Sequence, residues 1–358
     1  MIIEGKNDLL RAEADALVNT VNTVGVMGRG LALQFKQAFP ENFKAYQSAC
    51  RRGEVKLGEI FVTRTGQLQP SYILNFPTKG HWRSQTNIED IKAGLQDLVR
   101  VVQENKISSL AIPPLGCGLG GLRWEEVRPL IVEAFAPLEE VEVQLYAPGL
   151  TVEATETIVR TNKPILNLWR ASLIRLVEAY SVLAYEASHL EAQKLLYFLW
   201  IAGEPLKVQF NKEDYGPYDA GMKHGLLDLE GHYIRGFGEG ERLSPVALMP
   251  GASEEAQEFL KDKPETNTRI ERVCELIHEF ETPYGLELLA SVHWVTTQEV
   301  PFVMDDPEMA VKRVHAWSER KRKALQSEDI EVAWQCLSEK GWLQSSSVDG
   351  ESVEPIMT

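Results

Sequence analysis

Through the first 150 residues, short apolar runs alternate with longer amphipathic ones, and that alternation restricts this part of the chain to a layered α/β unit. The strand-like runs are MIIE, ALVNTVN, EIFVTR, SYILNF, SLAIPPL and VEVQLYAP. Helical patterns lie between them, over residues 30–39, 42–51, 87–104 and 124–135. In the third pattern Ile88, Ile91, Leu95, Leu98 and Val102 recur at spacings of three and four, which predicts one apolar face. Thr86, with Glu89 three residues on, reads as a capping box at its start. RTGQLQP between two strand-like runs predicts an antiparallel hairpin, so the expected sheet is mixed. Pro77 is read as the stop of the strand that begins at Tyr72.

A chain of 358 residues exceeds one ordinary core, and the pattern changes after YAPG. We therefore expect a unit over 1–150, a polar linker over 151–164, a mostly helical α+β unit over 165–345 and a frayed tail over 346–358. Residues 1–150 carry 16 Lys and Arg against 17 Asp and Glu, a net of −1. The whole chain is at −15, so the remainder is at −14. Such a field repels nucleic acid and attracts basic protein surfaces, or simply keeps a domain dispersed. Within it ERKRKA, residues 319–324, reads as a basic island on a solvated helix face. No basic segment precedes an apolar core at the N-terminus, and no apolar stretch is long enough to span a bilayer. The four cysteines are scattered, which suits reduced thiols in a cytoplasm. Seven dispersed histidines make no metal site.

Two segments carry chemistry. PPLGCGLGGLRW runs from a strand through Gly116, Gly118, Gly120 and Gly121 into a helix. A dinucleotide-binding fold would place such a loop after its first strand, and here it comes late, so that reading is rejected. NTVNTVGVMGRGLALQFK has the same strand–glycine–helix grammar, through Gly25, Gly28 and Gly30. Two such loops can clasp one ligand on backbone N–H groups. Asp8 can accept from an adenine amino group or cap the helical turn after it. Asn22 can hold a ribose hydroxyl or close a turn. Cys117 reads as a small packing residue without a catalytic role. Lys79 stands alone at a strand's exit, followed by Trp82 and Arg83, which can be plain surface groups or can stack on a base and pair with a phosphate.

GKNDLL, ALVNTVNTVGVMGRGLALQFK, NFPTK and PPLGCGLGGLRWEEV, in this order, resemble the macrodomain. The nearest subgroup is the one that includes the terminal ADP-ribose protein glycohydrolase and the DarG antitoxins. The resemblance covers residues 1–150 and implies a mixed sheet between helix layers (αβα). It implies an ADP-ribose site at Asn7, Asp8 and Leu9; Thr20, Val21 and Asn22; Gly28, Gly30 and Leu31; Thr78; and the loop of Gly116, Cys117, Gly118, Leu119, Gly120, Gly121 and Leu122. Lys79 matches the subgroup's catalytic lysine, as nucleophile or as proton donor. Gly120 departs from the pattern, because the human member holds an aspartate there. No metal or cofactor is implied, since backbone N–H groups meet the diphosphate. The DarG resemblance further implies a substrate, ADP-ribose on thymidine in single-stranded DNA, a product, ADP-ribose, and a partner, the cognate DarT toxin, bound by the second half. EAQKLLYFLWIAG and YGPY in that half faintly resemble SocA-like domains. The rival readings are a binder of ADP-ribose without hydrolysis, and an interaction protein with an inert first half.

Overall fold

A computed structural model of the chain describes residues 1–6, 8–149, 158–181, 187–237 and 245–343. Asn7, residues 151–157 of the expected linker and the expected tail lie outside the described residues. The chain divides into two compact units, Met1–Lys163 and Pro164–Phe237 with Glu241–Thr358.

The first unit is built on strands β1 (Ile2–Glu4), β2 (Ala16–Asn22), β3 (Phe61–Arg64), β4 (Tyr72–Lys79), β5 (Ser109–Ile112) and β6 (Glu142–Leu145). Their order in the sheet is β1-β6-β5-β2-β4-β3, and every neighbour is parallel except β3 on β4. Helices α1 (Gly30–Ala38), α2 (Pro40–Arg51), α3 (Ile88–Glu104) and α4 (Trp124–Phe135) complete it. Strand side chains alternate between two faces, and apolar residues at consecutive positions therefore supply two cores. Ala16, Val18, Leu74, Phe76, Leu110 and Ile112 pack with Ile91, Leu95, Val127 and Ile131 of α3 and α4. Their neighbours Leu17, Ile73 and Ala111 pack instead with Phe35 and Ala38 of α1. The result is the three-layer αβα arrangement, and a one-residue slip of β2 on β4 would exchange its faces. A Cβ at Gly94 would overlap the Phe76 ring, so the missing side chain sets how closely α3 lies on β4.

Two local expectations are corrected. β4 does not stop at Pro77 but continues to Lys79. β3 pairs only as far as Asn75, so the N–H that Pro77 lacks falls where β4 has no partner on that side. The α3 cap is Asn87 rather than Thr86: its Oδ1 accepts from the Glu89 N–H at 3.1 Å. The Thr86 N–H donates instead to the Gly120 carbonyl at 3.0 Å, which ties the segment to the second glycine loop.

The second unit is mostly helical. Its elements in order are α5 (Leu168–Ser181), β7 (Ala187–Ser188), α6 (His189–Ile201), β8 (Asn211–Glu213), β9 (Gly216–Tyr218), α7 (Met222–Leu229), β10 (Ile234–Arg235), β11 (Pro245–Leu248), α8 (Ala252–Leu260), α9 (Pro264–Ile277), α10 (Pro283–Thr297), α11 (Pro307–Trp317), α12 (Glu319–Ala324) and α13 (Ser327–Glu339). A capping box at Ser188 and Glu191 starts α6, whose Leu195, Leu196, Tyr197, Phe198 and Leu199 are wholly buried. Tyr197 donates its hydroxyl to Nδ1 of His293 at 2.7 Å, while Nε2 of His293 donates to the Trp342 carbonyl at 3.1 Å. Both ring nitrogens are thus satisfied in the neutral form, and burial pushes the imidazole down to about 4.

The basic island of 319–324 is a solvated face only in part, at Arg322 and Lys323. Lys321 is wholly buried on α12 and donates to Glu287 at 2.7 Å and Ser291 at 2.8 Å, both on α10. Arg320 forks onto the same Glu287 carboxylate at 2.8 and 2.6 Å. An acid on a facing helix draws these cations inward, and a single stretch of sequence gives no sign of that partner. Among the described residues, no helix is long and apolar enough to cross a membrane.

Candidate active site

β5, β2 and β4 are neighbours in the sheet and deliver their carboxyl ends to one edge. Asn22 lies opposite Lys79 in the β2–β4 register, just past an irregularity after Val21. Thr23 fastens the two exits: its N–H donates to the Lys79 carbonyl at 3.2 Å and its hydroxyl to the Gly80 carbonyl at 2.7 Å. The Lys79 Nζ donates to the Leu119 carbonyl at 3.0 Å, so the amine reaches from β4 to the loop after β5. Partial burial pulls this amine below the usual lysine range.

Asn22 shapes the first loop. Its Nδ2 donates to the Val26 carbonyl at 2.6 Å, and its Oδ1 accepts from the N–H groups of Val24 and Val26 at 3.1 and 3.2 Å. Tyr46, wholly buried on α2, donates its hydroxyl to the Asn22 carbonyl at 2.6 Å. The loop then passes Gly28 and enters α1 at Gly30, whose φ of +53° favours glycine. Arg29 is the N-cap of α1 and Arg123 that of α4, and neither side chain makes a capping bond. The first N–H groups of α1 are thereby open to an anion, whereas the first turn of α4 carries Glu125 and Glu126. Asn87, Ser188 and Thr282 do cap their helices α3, α6 and α10.

The second loop is a chain of turns. Cys117 N–H bonds to Pro114 O at 3.1 Å, Gly121 N–H to Gly118 O at 3.0 Å, and Leu122 N–H to Gly116 O at 3.0 Å. Gly116 and Gly121 have φ of +71° and +81°. A Cβ on Gly120 would overlap Thr86 Oγ1 and the Gly116 carbonyl oxygen, so this loop as folded admits no side chain there. The aspartate that the resemblance places at this point in a relative is therefore excluded by packing. A Cβ on Gly118 meets nothing within 4 Å, and Gly118 and Leu119 are exposed at the loop's tip. Burial pushes the Cys117 thiol up to about 11, and its Sγ donates to the Leu115 carbonyl at 3.5 Å, which fits a packing role.

The remaining expected residues divide by exposure. Thr20 is half-buried beside the site, whereas the side chains of Val21 and Thr78 are buried and can offer a ligand only backbone. Leu31 packs against the core beneath α1. Asp8 and Leu9 follow β1 at the same sheet edge; Leu9 packs with Leu17 and Phe35, and the buried Asp8 caps a 3₁₀ turn by accepting from the Leu10 N–H at 3.0 Å. Asn7 lies outside the described residues. Sequence reasoning missed the polar support beneath the site. Asn19 donates to Asn75 at 3.0 Å, Asn75 donates to Asn42 at 2.7 Å, and Thr63 donates to Asn42 at 2.6 Å. Its signal was a buried amide in each of two apolar strands, Asn19 and Asn75, which turn out to be in register. Among the described residues, no three His, Cys, Asp or Glu side chains gather to hold a metal ion.

Known proteins are similar to this chain in sequence. The Macro domain family model matches residues 18–131. A DNA ADP-ribosyl glycohydrolase of Thermus aquaticus is 46% identical over 340 residues, which cover 95% of this chain and 93% of that one. The solved macrodomain of Mycobacterium tuberculosis DarG is 56% identical and covers 42% of this chain and 99% of its own, with a TM-score of 0.41. A DNA ADP-ribosyl transferase–DNA ADP-ribosyl glycohydrolase fusion protein of Thermosipho africanus is 37% identical over 163 residues, 41% of each chain. With that similarity running through both units, the chain belongs to the DNA ADP-ribosyl glycohydrolases of the DarG type, and it is an enzyme of that family.

Proposed function

We propose that the first unit removes ADP-ribose from thymidine in single-stranded DNA with Lys79 as the reacting group, and that the second unit holds the cognate ADP-ribosyltransferase toxin. The observation that carries the first part is the place of the Lys79 amine, at the junction of two glycine loops and 3.0 Å from the Leu119 carbonyl. The diphosphate sits on the N–H groups of the 116–122 loop and of the uncapped start of α1. Asp8 takes the adenine end. Gly28, Gly30 and Gly118 keep side chains out of the diphosphate's path.

An amine below the usual lysine range favours the nucleophilic role over the protonating one. The Lys79 lone pair bonds to the anomeric carbon, and the bond to the thymine nitrogen breaks with its electron pair leaving on the base. The base then takes up the amine's proton. The sugar ring opens to an imine, water adds to that carbon, and the amine leaves with ADP-ribose released. Packing excludes a carboxylate at Gly120, so proton movement falls to Lys79 and water. Lys79→Ala incubated with an ADP-ribosylated oligonucleotide should release no ADP-ribose while still binding the free ligand. Turnover near the wild-type rate would refute this reading.

The second part rests on the net charge of −14 beyond residue 150 and on the Thermosipho africanus relative, which joins a transferase and a glycohydrolase in one chain. A toxin that grips single-stranded DNA needs a basic groove, and an acidic domain is steered to it. Full-length Lys79→Ala should therefore still block the transferase's modification of DNA, with an on-rate that slows as salt rises. Failure of that variant to block would leave only the hydrolase.

A further inference from the structure

The turn after Lys79 has chemistry that hydrolysis itself does not use. Trp82 is 41% exposed, a large apolar ring on the surface of the first unit. The His81 ring lies 5.1 Å from it, and the Arg83 guanidinium stands 4.4 Å over its centroid. The turn is shaped by its own bonds, Ser84 N–H to the His81 carbonyl at 2.9 Å and Arg83 N–H to His81 Nδ1 at 3.2 Å. Thr23 ties its first residue, Gly80, to the loop after β2. This places an imidazole, an indole and a guanidinium two, three and four residues along the chain from the reacting amine.

The surroundings suit an anionic, ring-bearing partner. Val24, Val26 and Leu119, exposed on the flanking loops, extend the apolar rim around Lys79. Charge is sorted in the same place. Residues 16–40, 60–88 and 105–124, which include all three loops, contain no Asp or Glu, although the chain as a whole is at −15. Arg83 lies in one of those runs, four residues after Lys79, whereas Arg123 is paired with Glu126 at the start of α4. Just beyond the turn, a surface cavity of about 690 Å³ is lined by Gln85, Thr86, Lys92, Leu122 and Glu126, between the starts of α3 and α4. A rim of exposed rings and apolar groups without acids is what a single nucleic-acid strand needs, since every base has a face to stack and every link a phosphate.

We propose that Trp82 and Arg83 grip the nucleotide next to the ADP-ribosylated one, by stacking on its base and pairing with its phosphate, and so select a DNA strand over a lone modified nucleoside. This rests on the hydrolysis reading above. The strand then runs from Lys79 over the 81–83 turn toward the cavity at Gln85.

The test uses full-length protein and two substrates, an ADP-ribosylated single-stranded oligonucleotide and ADP-ribosyl-thymidine. For Trp82→Ala and for Arg83→Gln, the ratio of kcat/KM on the oligonucleotide to kcat/KM on the nucleoside should fall about tenfold, the scale of one lost stacking contact. Trp82→Phe should restore most of the ratio, and Arg83→Gln should flatten the salt dependence on the oligonucleotide by roughly 0.7 in logarithmic slope. A ratio unchanged in both variants, or losses equal on the two substrates, would overturn the proposal. Wild-type protein inert toward both substrates would overturn the hydrolysis reading and this inference with it, whereas an active wild type with an unchanged ratio overturns this inference alone.

Discussion

Lys79 in the first unit and Lys194 in the second are both amines pulled down by burial, yet their surroundings are opposite. Lys79 is half-buried at a strand end, bonded to the Leu119 carbonyl, and the three loops around it hold no acid. Lys194 is 2% exposed on α6 and donates to the Pro217 carbonyl at 3.0 Å. Burial first, then Lys321, draws it down to about 7, against the opposing pull of Glu287 and Glu191. In the first unit cations stand at the surface where an anion can arrive. The second unit keeps Lys194 and Lys321 inside and presents acid outside. A depressed lysine is therefore not a site by itself; convergent loops and access make it one.

The largest expected effect breaks the interior cluster. Glu287→Ala leaves Arg320 and the buried Lys321 without their carboxylate and should cost about 3–5 kcal/mol. Urea unfolding of the full chain followed with the ADP-ribose release assay should show the second unit lost first and the activity retained. Next, Gly118→Val sharpens the account of the first unit. A Cβ there meets no protein atom within 4 Å, so the fold should hold while ADP-ribose affinity falls about 100-fold in calorimetry. Gly30→Val is a poorer probe, because its φ of +53° adds strain in the free protein.

The pH response should separate the two lysines further. The folded chain releases the Lys194 proton near pH 7, whereas the unfolded chain holds it to about 10.4. Between those values the unfolded chain binds more protons, so this residue's contribution to stability increases with pH. Lys194→Met should remove a rise of roughly 2 kcal/mol between pH 7 and 9, read from denaturant midpoints. Activity, by contrast, should rise with pH through the Lys79 value and be indifferent to Lys194→Met. The smallest effect is at the α3 cap: Asn87→Ala should cost about 1 kcal/mol.

Much of this was legible in the sequence because it is local. The strand–glycine–helix grammar and NFPTK placed Lys79 and both loops, and the alternating runs placed the sheet and its helices. What was not legible depends on partners far along the chain. Pro77 looked like a terminator because a sequence does not say that the pairing of β3 on β4 reaches only Asn75. Lys321 looked solvated because Glu287, 34 residues earlier, is invisible to a helix-face count. Gly120 read as a missing aspartate, and only the contact with Thr86 and Gly116 explains why the loop holds nothing larger. Tyr46 and the Asn19–Asn75–Asn42 chain gave only the weak signal of polar groups in apolar runs.

The claim that most needs testing is that the Lys79 amine bonds to the sugar. Sodium borohydride added during turnover of an ADP-ribosylated oligonucleotide should reduce the imine, and intact mass followed by peptide mapping should find one ADP-ribose on Lys79 in the wild type and none in Lys79→Ala. Continued turnover with no adduct on Lys79, in protein that stays active under the trapping conditions, would contradict the nucleophilic account and leave the lysine as a proton donor.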